Sequence, residues 1–177
     1  LCRQLVARQA VSEVVAFDDL STGRESNLAG VEGVELVVGS VLDQGTLTDV
    51  IRDADAVVHL AARPSVPRSI ADPIATHRVN VDGTINVLEA VRAQTRRAHV
   101  IFASSSSVYG ANRTLPKVET LATMPRSPYA ASKLSGEVYV LGYQASFDIP
   151  ALAFRFFDVF GPLQSPDHDY AAVVPAF

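Results

Sequence analysis

The sequence has few residues that could cross-link it through a disulfide or a metal ion. Its 177 residues include one cysteine, Cys2, so no disulfide can form within the chain. Its four histidines are scattered, and no group of cysteines and histidines has the spacing of metal ligands, so we predict no metal site. A single cysteine favours a reducing compartment, and we expect a cytoplasmic protein.

Positive charge and long apolar runs are also scarce. The formal net charge is −4 at pH 7, so no broad positive field attracts a phosphate backbone, and we predict no nucleic-acid partner. No run approaches the ~20 apolar residues that a membrane-spanning helix needs. The first residues lack the pattern of a signal peptide, and we therefore predict no membrane partner.

What the sequence does contain is a regular alternation of secondary-structure patterns, with 48% hydrophobic and 19% charged residues. Short apolar runs predict strands at 11–17, 34–38, 56–60, 99–103 and 151–156, and amphipathic segments predict helices at 43–53, 72–93 and 128–147. Asp72-Pro73 and Ser127-Pro128 are good helix starts, because the Asp or Ser side chain caps free N–H groups and proline suits the first turn. The alternation predicts an α/β fold, a doubly wound parallel sheet covered on both faces.

A tyrosine and a lysine lie four residues apart at the start of the last predicted helix, in the segment Tyr129-Ala-Ala-Ser-Lys133. At this spacing the two side chains share one helix face. We expect the Lys133 ammonium to lower the pKa of the Tyr129 phenol and make it a usable general base. The alternative is a surface tyrosine and lysine one turn apart.

A run of four serines, Ser104 to Ser107, follows the strand predicted at 99–103. Reacting groups in doubly wound sheets lie beyond the carboxyl ends of strands, so we expect the Ser105 hydroxyl to face Tyr129. The alternative is a polar exit from the strand into a turn at Tyr109-Gly110.

Acidic residues follow the first predicted strand, in Asp18-Asp-Leu-Ser-Thr-Gly23. A carboxylate at this place accepts hydrogen bonds from both hydroxyls of a ribose and repels a 2′-phosphate, so it favours NAD over NADP. Taken alone, the segment is also a plain Asp-rich turn that ends at Gly23.

Several segments occur together in a characteristic order: Asp18-Asp-Leu-Ser-Thr-Gly23, His59-Leu-Ala-Ala62, Asn80-Val-Asp-Gly-Thr84, Ser104-Ser-Ser-Ser-Val-Tyr-Gly110, Ser127-Pro-Tyr-Ala-Ala-Ser-Lys133, Arg155-Phe-Phe-Asp-Val-Phe-Gly-Pro162 and Tyr170-Ala-Ala-Val-Val-Pro175. This set resembles the UDP-glucose 4-epimerase family of the extended short-chain dehydrogenases/reductases, over nearly the whole chain. Ser65-Val-Pro-Arg-Ser69 and Leu115-Pro-Lys-Val-Glu119 look most like the branch that acts on UDP-N-acetylhexosamines.

The resemblance implies a role for each matching residue. Tyr129 would take the proton from the sugar 4-hydroxyl while hydride leaves C4 for NAD, and return of hydride to the other face of a 4-keto intermediate would invert that centre. Lys133 would hold the nicotinamide ribose, and Ser105 would hydrogen-bond the reacting oxygen. The implied cofactor-binding residues are Asp18, Asp19, Ser21, Thr22, Gly23, Ser40, Val41, Leu60, Ala61, Ala62, Asn80, Tyr129, Lys133 and Phe157. The implied residues for the UDP-sugar are Ser65, Arg68, Ser105, Ser106, Tyr129 and Asp158.

The chain departs from the family at a few of these positions. Related dehydratases carry an Asp-Glu pair where this chain has Ser106 and Ser107, which favours epimerisation over elimination of water. Family members usually have Asn at the position of Asp158, and an ionised carboxylate has no donor and would repel a diphosphate. Ser40 replaces a frequent Asp, a milder change because a hydroxyl can still accept.

The family opens with a strand and a Gly-x-x-Gly-x-x-Gly turn that hold the NAD pyrophosphate, and neither is in this sequence. We expect residues 1–10 to be the rest of the following helix and the sheet to lack its central strand, between those at 11–17 and 56–60. The resemblance thus implies a partial NAD-binding Rossmann domain over 1–177, with a truncated substrate-binding region beginning at 158–177. We expect the 177 residues alone to be inactive and poorly stable.

Two alternative functions stay open at this point. The protein could be another nucleotide-sugar enzyme of this fold, such as a UDP-glucuronate epimerase or decarboxylase, a dehydratase or a reductase. It could also be a non-catalytic member, although binding alone would not require Ser105, Tyr129 and Lys133 together.

The helices at 72–93 and 128–147 form the homodimer interface in the family, but packing against the sheet explains their small residues equally well.

Overall fold

The computed structural model describes residues 1–161 of the chain. In chain order, these residues form α1 (Cys2–Val6), β1 (Val14–Asp18), β2 (Val34–Val38), α2 (Gln44–Ile51), β3 (Ala56–His59), α3 (Val66–Ala71), α4 (Pro73–His77), α5 (Gly83–Ala93), β4 (His99–Ser105), α6 (Pro128–Phe147) and β5 (Ala151–Phe156). Short 3-10 turns lie at Glu25–Leu28 and Ser106–Tyr109. The predicted α/β class is confirmed.

Local signals placed several of these elements correctly. Helix α6 begins at Pro128 because the Ser127 side chain accepts a hydrogen bond from the N–H of Ala130, at 3.1 Å. The segment predicted as one helix at 72–93 consists of α4, one turn of π-helix at Arg78–Asp82, and α5. The helix α3 was not predicted, although proline is well tolerated in its first turn.

The strands pair in parallel within two sheets. β1 pairs with β2, and β4 lies between β3 and β5, with Phe102 opposite His59 on one side and Ala153 on the other. Within residues 1–161, no backbone hydrogen bonds join β1 to β3. This break lies where the resemblance places the first strand of the family.

Helices α5 and α6 cover one face of β4 and form the core with it. Phe102 and Val100 on β4 are buried against Leu88 of α5 and Val140 of α6, all at most 1% exposed. Gly136 on α6 lies so close to β4 that an added Cβ would be 2.6 Å from the ring of Phe102. This close approach places the first turns of α6 beside the carboxyl end of β4.

Candidate active site

Two of the predicted catalytic residues lie close together at the carboxyl end of β4. Ser105 is the last residue of β4, and its Oγ accepts a hydrogen bond from the N–H of Ser107 at 3.2 Å. The Ser105 hydroxyl also lies close enough to the hydroxyl of Tyr129, in the first turn of α6, to lower the Tyr129 pKa. The structure therefore brings together a serine and a tyrosine that are separated by 23 residues in the sequence.

Lys133 lies one helical turn after Tyr129, with only 4% of its surface exposed. Its Nζ donates a hydrogen bond to the carbonyl of Ala103, at 2.9 Å, and lies 5.2 Å from the centre of the Phe102 ring. Burial lowers the pKa of Lys133 to about 8, because an ammonium loses its hydration there. Within residues 1–161, no carboxylate lies within ion-pair distance of this ammonium.

The expected lowering of the Tyr129 pKa by Lys133 is wrong for this arrangement. Burial raises the pKa of the Tyr129 phenol above its ordinary value, and the nearby Ser105 hydroxyl offsets only part of that effect. Lys133 does not lower it, because its ammonium is bound to the Ala103 carbonyl instead. A lower pKa would require the ammonium to leave that carbonyl for the phenolate.

The acidic turn after β1 has a shape that suits a ribose. One carboxylate oxygen of Asp18 accepts from the N–H of Leu20 at 2.8 Å, and one of Asp19 accepts from the N–H of Ser21 at 2.9 Å. An added Cβ at Gly23 would be 3.2 Å from both carboxylate oxygens of Asp18. The glycine thus leaves one side of the Asp18 carboxylate open.

Matches to known proteins show the family to which the chain belongs. The model of the NAD dependent epimerase/dehydratase family matches residues 1–177. The chain belongs to this family. The resemblance found in the motifs and the NAD-binding Rossmann fold are both confirmed, and so is NAD as the cofactor.

Relatives within the family include both epimerases and dehydratases. The UDP-glucose 4-epimerase of Mycolicibacterium smegmatis is 39% identical over 169 residues, which are 93% of this chain and 53% of that protein. The solved UDP-N-acetylglucosamine 4-epimerase of Methanobrevibacter ruminantium, in complex with UDP-N-acetylmuramic acid, has 36% identity and a TM-score of 0.89, covering 98% of this chain and 56% of its own. The dTDP-glucose 4,6-dehydratase of Streptomyces venezuelae, solved with NAD, has 31% identity and a TM-score of 0.84. The match covers 93% of this chain and 51% of the dehydratase chain. The chain spans about half the length of the relatives it matches.

The residues of this epimerase/dehydratase chain fit NAD. The open Asp18 carboxylate can accept hydrogen bonds from the two hydroxyls of a ribose. Leu60 after β3 and Phe157 after β5 are 53% and 60% exposed, so apolar surface at the ends of these strands is free to cover flat rings. We expect Ala61 and Ala62 beside Leu60, and Thr22, Ser40 and Val41 near the acidic turn, to line the same site.

Asn80 joins the loop after β3 to the helix that carries Tyr129. It is 2% exposed, its Oδ1 accepts from the N–H of Arg63 at 2.6 Å, and its Nδ2 donates to the Arg63 carbonyl and to the Ser132 hydroxyl. Ser132 in turn donates to the carbonyl of Tyr129, at 2.8 Å. Asn80 therefore ties the loop after β3 to the catalytic helix, and its direct contact with NAD stays a prediction.

The residues expected to bind the sugar nucleotide lie on three segments. Ser65 caps α3 with a backbone φ of 97°, a conformation that is strained for a residue other than glycine, and it accepts from the N–H of Arg68. Ser106 lies in the 3-10 turn after Ser105, and Asp158 is exposed after β5. Their contact with substrate stays a prediction. Residues 162–177, which include the Tyr170 motif, lie outside the described residues.

Residues 1–161 contain no candidate metal site and no candidate membrane-spanning helix. Among them, no three His, Cys, Asp or Glu side chains are grouped so that they could hold a metal ion. No helix in that part of the chain has the length and apolar character needed to cross a membrane.

Sequence reasoning missed a buried polar group next to the catalytic residues. Ser104 donates to Glu137 on α6 at 2.8 Å, and Arg155 on β5 pairs with the same carboxylate. The sequence signal that could have revealed this group was the position of Glu137, since an acid four residues after Lys133 lies on the same helix face.

His59 is a second missed residue, and it leads to a pH prediction. Its Nε2 lies 3.0 Å from the Thr84 hydroxyl. Burial lowers the pKa of His59 from 6.5 to about 3, and the nearby charge of Lys133 adds to this effect. The unfolded chain therefore binds a proton that the folded chain excludes. The stability due to neutral His59 is fully present above pH 6.5 and is lost as the pH falls from 6.5 to 3.

We expect the variant His59→Gln, which keeps a hydrogen-bonding side chain, to lose less stability on acidification than the unmodified protein. The difference in slope should be about 1.4 kcal/mol per pH unit, the value for one proton. Urea unfolding at several pH values between 4 and 6.5 measures it. His77→Gln, at an exposed position, is the control, and equal slopes for all three proteins would contradict the prediction.

Proposed function

We propose that the whole protein containing this chain is a nucleotide-sugar 4-epimerase, which inverts C4 of a UDP-hexose or UDP-N-acetylhexosamine using bound NAD. The observation that carries this proposal is that Ser105 at the carboxyl end of β4 lies close enough to Tyr129 in the first turn of α6 to act on its pKa, with Lys133 one turn further along that helix. Since the chain spans about half of its relatives, we expect turnover from the whole protein and none from the 177 residues alone.

NAD, when bound, accepts a hydride from the sugar carbon and returns it. The chain's own residues handle the proton and the developing charge. Once the Tyr129 phenol has lost its own proton, the phenolate takes the proton from the 4-hydroxyl, and Ser105 hydrogen-bonds the same oxygen as negative charge builds up on it. The Lys133 ammonium, held only by a neutral carbonyl, can shift toward the phenolate and the nicotinamide ribose.

The residues beside Ser105 support epimerisation over dehydration. Elimination of water needs an acid and a base close to the sugar carbons that lose the water. Ser106 and Ser107 occupy the two positions at which related dehydratases carry Asp and Glu, and neither hydroxyl titrates near neutral pH.

Product analysis with the purified whole protein tests the proposal. It is incubated with UDP-glucose, UDP-N-acetylglucosamine and UDP-glucuronate separately, and the products are separated by chromatography. A product of unchanged mass and inverted C4 supports the epimerase. A 4-keto-6-deoxy sugar, a decarboxylated sugar or a net change in the NADH absorbance would instead identify a dehydratase, a decarboxylase or a reductase. No product from any substrate would favour a non-catalytic member.

Asp158 gives a separate prediction about substrate affinity. We expect Asp158→Asn to lower the dissociation constant for the UDP-sugar, because it removes a negative charge near the diphosphate and adds an amide donor. Isothermal titration calorimetry on the whole protein measures this. An unchanged or higher dissociation constant would count against the assigned position of Asp158.

We also propose that the whole protein forms a homodimer through its long helices. Ile74 on α4, Val138 and Leu141 on α6 are between 48% and 63% exposed, and such apolar side chains on neighbouring helices support burial against a second copy. Sedimentation equilibrium of the whole protein distinguishes a dimer from a monomer.

A further inference from the structure

A largely buried ion pair involves Glu137, one turn after Lys133 on α6. The side chains of Glu137 on α6 and Arg155 on β5 are 9% and 17% exposed. The Nη2 of Arg155 lies 2.5 Å from Glu137 Oε1, and its Nε lies 3.1 Å from both carboxylate oxygens. The Ser104 hydroxyl adds a further hydrogen bond to Oε2, so both carboxylate oxygens are occupied.

Glu137 is the acidic residue of α6, the helix that carries Lys133. The two residues are four apart on α6, which places them on one helix face. They also bind successive residues of β4, since Lys133 donates to the Ala103 carbonyl and Glu137 accepts from the Ser104 hydroxyl. A glutamate and a lysine in this relation normally attract each other, and burial strengthens the attraction.

The observed contacts nevertheless keep the two charges apart, since Glu137 is paired with Arg155 and Lys133 is bound to a neutral carbonyl. We propose that Arg155 is a positioning residue that holds the Glu137 carboxylate away from Lys133, so that the ammonium stays available to Tyr129 and to the cofactor. This inference rests on the proposed function, since it assigns the ammonium a part in that reaction.

Arg155 is itself held in place by three further features. It lies opposite Ser104 in the pairing of β4 with β5, its Nη1 donates to the Glu119 carbonyl at 3.2 Å, and its guanidinium lies 5.0 Å from the centre of the Tyr109 ring. The hydrogen bonds to Glu137 raise the pKa of Arg155 further, so it stays charged throughout the working pH range. Arg155 therefore cannot follow Glu137 if that side chain turns toward Lys133.

The titration of Lys133 can be distinguished from that of the groups around it. His59 on β3 is neutral above a pH of about 3, because burial lowers its pKa, and burial keeps the Tyr129 phenol protonated at neutral pH. Glu137 and Arg155 are the charged groups on the neighbouring turn of α6 and on β5. A titration step near pH 8 thus reports on Lys133 itself.

The test measures the pKa of Lys133 in the whole protein with bound NAD and no sugar. Lysine labelled with ¹³C at Cε is followed by NMR from pH 6 to 11, and the Lys133 signal is assigned by its loss in Lys133→Met. Arg155→Met should raise the Lys133 pKa by about one unit or more, because the released carboxylate pairs with the ammonium. Glu137→Gln should lower it, because an unpaired guanidinium repels the ammonium. The double variant should restore the original titration.

Turnover provides the second measurement, once the unmodified whole protein has been shown to epimerise a UDP-sugar. We expect kcat to fall at least about tenfold in Arg155→Met, with little change in KM, and to recover in the double variant. General loss of packing predicts the opposite, since removing both partners would not restore either the titration or kcat. Arg92→Met is the control, because it breaks a similar Arg–Glu pair with Glu89 on α5.

The outcomes separate this inference from the proposed function. An unchanged Lys133 pKa in Arg155→Met overturns the inference even if the unmodified protein is an active epimerase. If Arg155→Met does not fold, the Glu137→Gln variant provides the test. An unchanged or raised Lys133 pKa in Glu137→Gln then overturns the inference. Opposite shifts in the two single variants would support the charge arrangement even if no tested UDP-sugar were converted, and in that case only the proposed function would fail.

Discussion

Replacing Tyr129 with phenylalanine should reduce kcat of the whole protein about a thousandfold. The phenol lies near Ser105 at the carboxyl end of β4, and phenylalanine keeps the ring while removing the hydroxyl that exchanges the proton. General acid–base groups contribute about 10²- to 10⁴-fold to turnover. Initial rates of UDP-sugar epimerisation measure the effect, and titration of intrinsic fluorescence with NAD should show that cofactor binding is retained.

Tyr139→Phe is the matched control for this variant. Tyr139 lies on the same helix, but its side chain is 43% exposed and it takes no part in the site. We expect its kcat to equal that of the unmodified protein. Turnover by Tyr129→Phe within tenfold of the unmodified rate would remove Tyr129 from the catalytic role.

The largest expected loss of stability is at Gly110, directly after the turn that follows Ser105. Its φ is +46°, which favours glycine, and an added Cβ would overlap the carbonyl oxygen of Met124. The two segments are joined there by hydrogen bonds from Ala111 N–H to the Met124 carbonyl and from Met124 N–H to the Val108 carbonyl, each 2.9 Å. The overlap is with backbone that is held on both sides, so it cannot be relieved by a side-chain rotation.

We therefore expect Gly110→Ala to lower the free energy of unfolding by about 3 kcal/mol or more. Urea unfolding of the whole protein measures this. Gly142→Ala on α6 is the control, since no atom lies within 4 Å of its added Cβ, and it should stabilise the protein by about 0.5–1 kcal/mol. Equal stability of Gly110→Ala and the unmodified protein would show that the turn rearranges.

Local chemistry explains which elements could be predicted. The ends of α6 and β5 agree with the predicted 128–147 and 151–156, because Ser127, Pro128 and Pro150 mark those boundaries in the sequence itself. Strand β1 begins at Val14 instead of residue 11, and β4 runs on to Ser105. These ends depend on pairing with β2 and β5, which is not visible within the strand's own residues.

The π-helical turn at Arg78–Asp82 also depends on residues outside its own segment. Its residues are compatible with ordinary helix, and the prediction of one helix at 72–93 followed from that. The extra residue of the wide turn accompanies the burial of Asn80, whose amide reaches Arg63 and Ser132. Both partners are distant in sequence, so the turn could not be predicted from local pattern.

By itself, the sequence determined the family and the α/β class and predicted Ser105, Tyr129 and Lys133 as catalytic residues, because motif spacing and hydrophobic pattern are properties of neighbouring residues. Only the tertiary structure decided the charge states at the site. It raised the pKa of Tyr129, bound Lys133 to the Ala103 carbonyl and paired Glu137 with Arg155. Burial and hydrogen bonds between distant segments produce these effects, and both exist only once α6 has packed against β4 and β5.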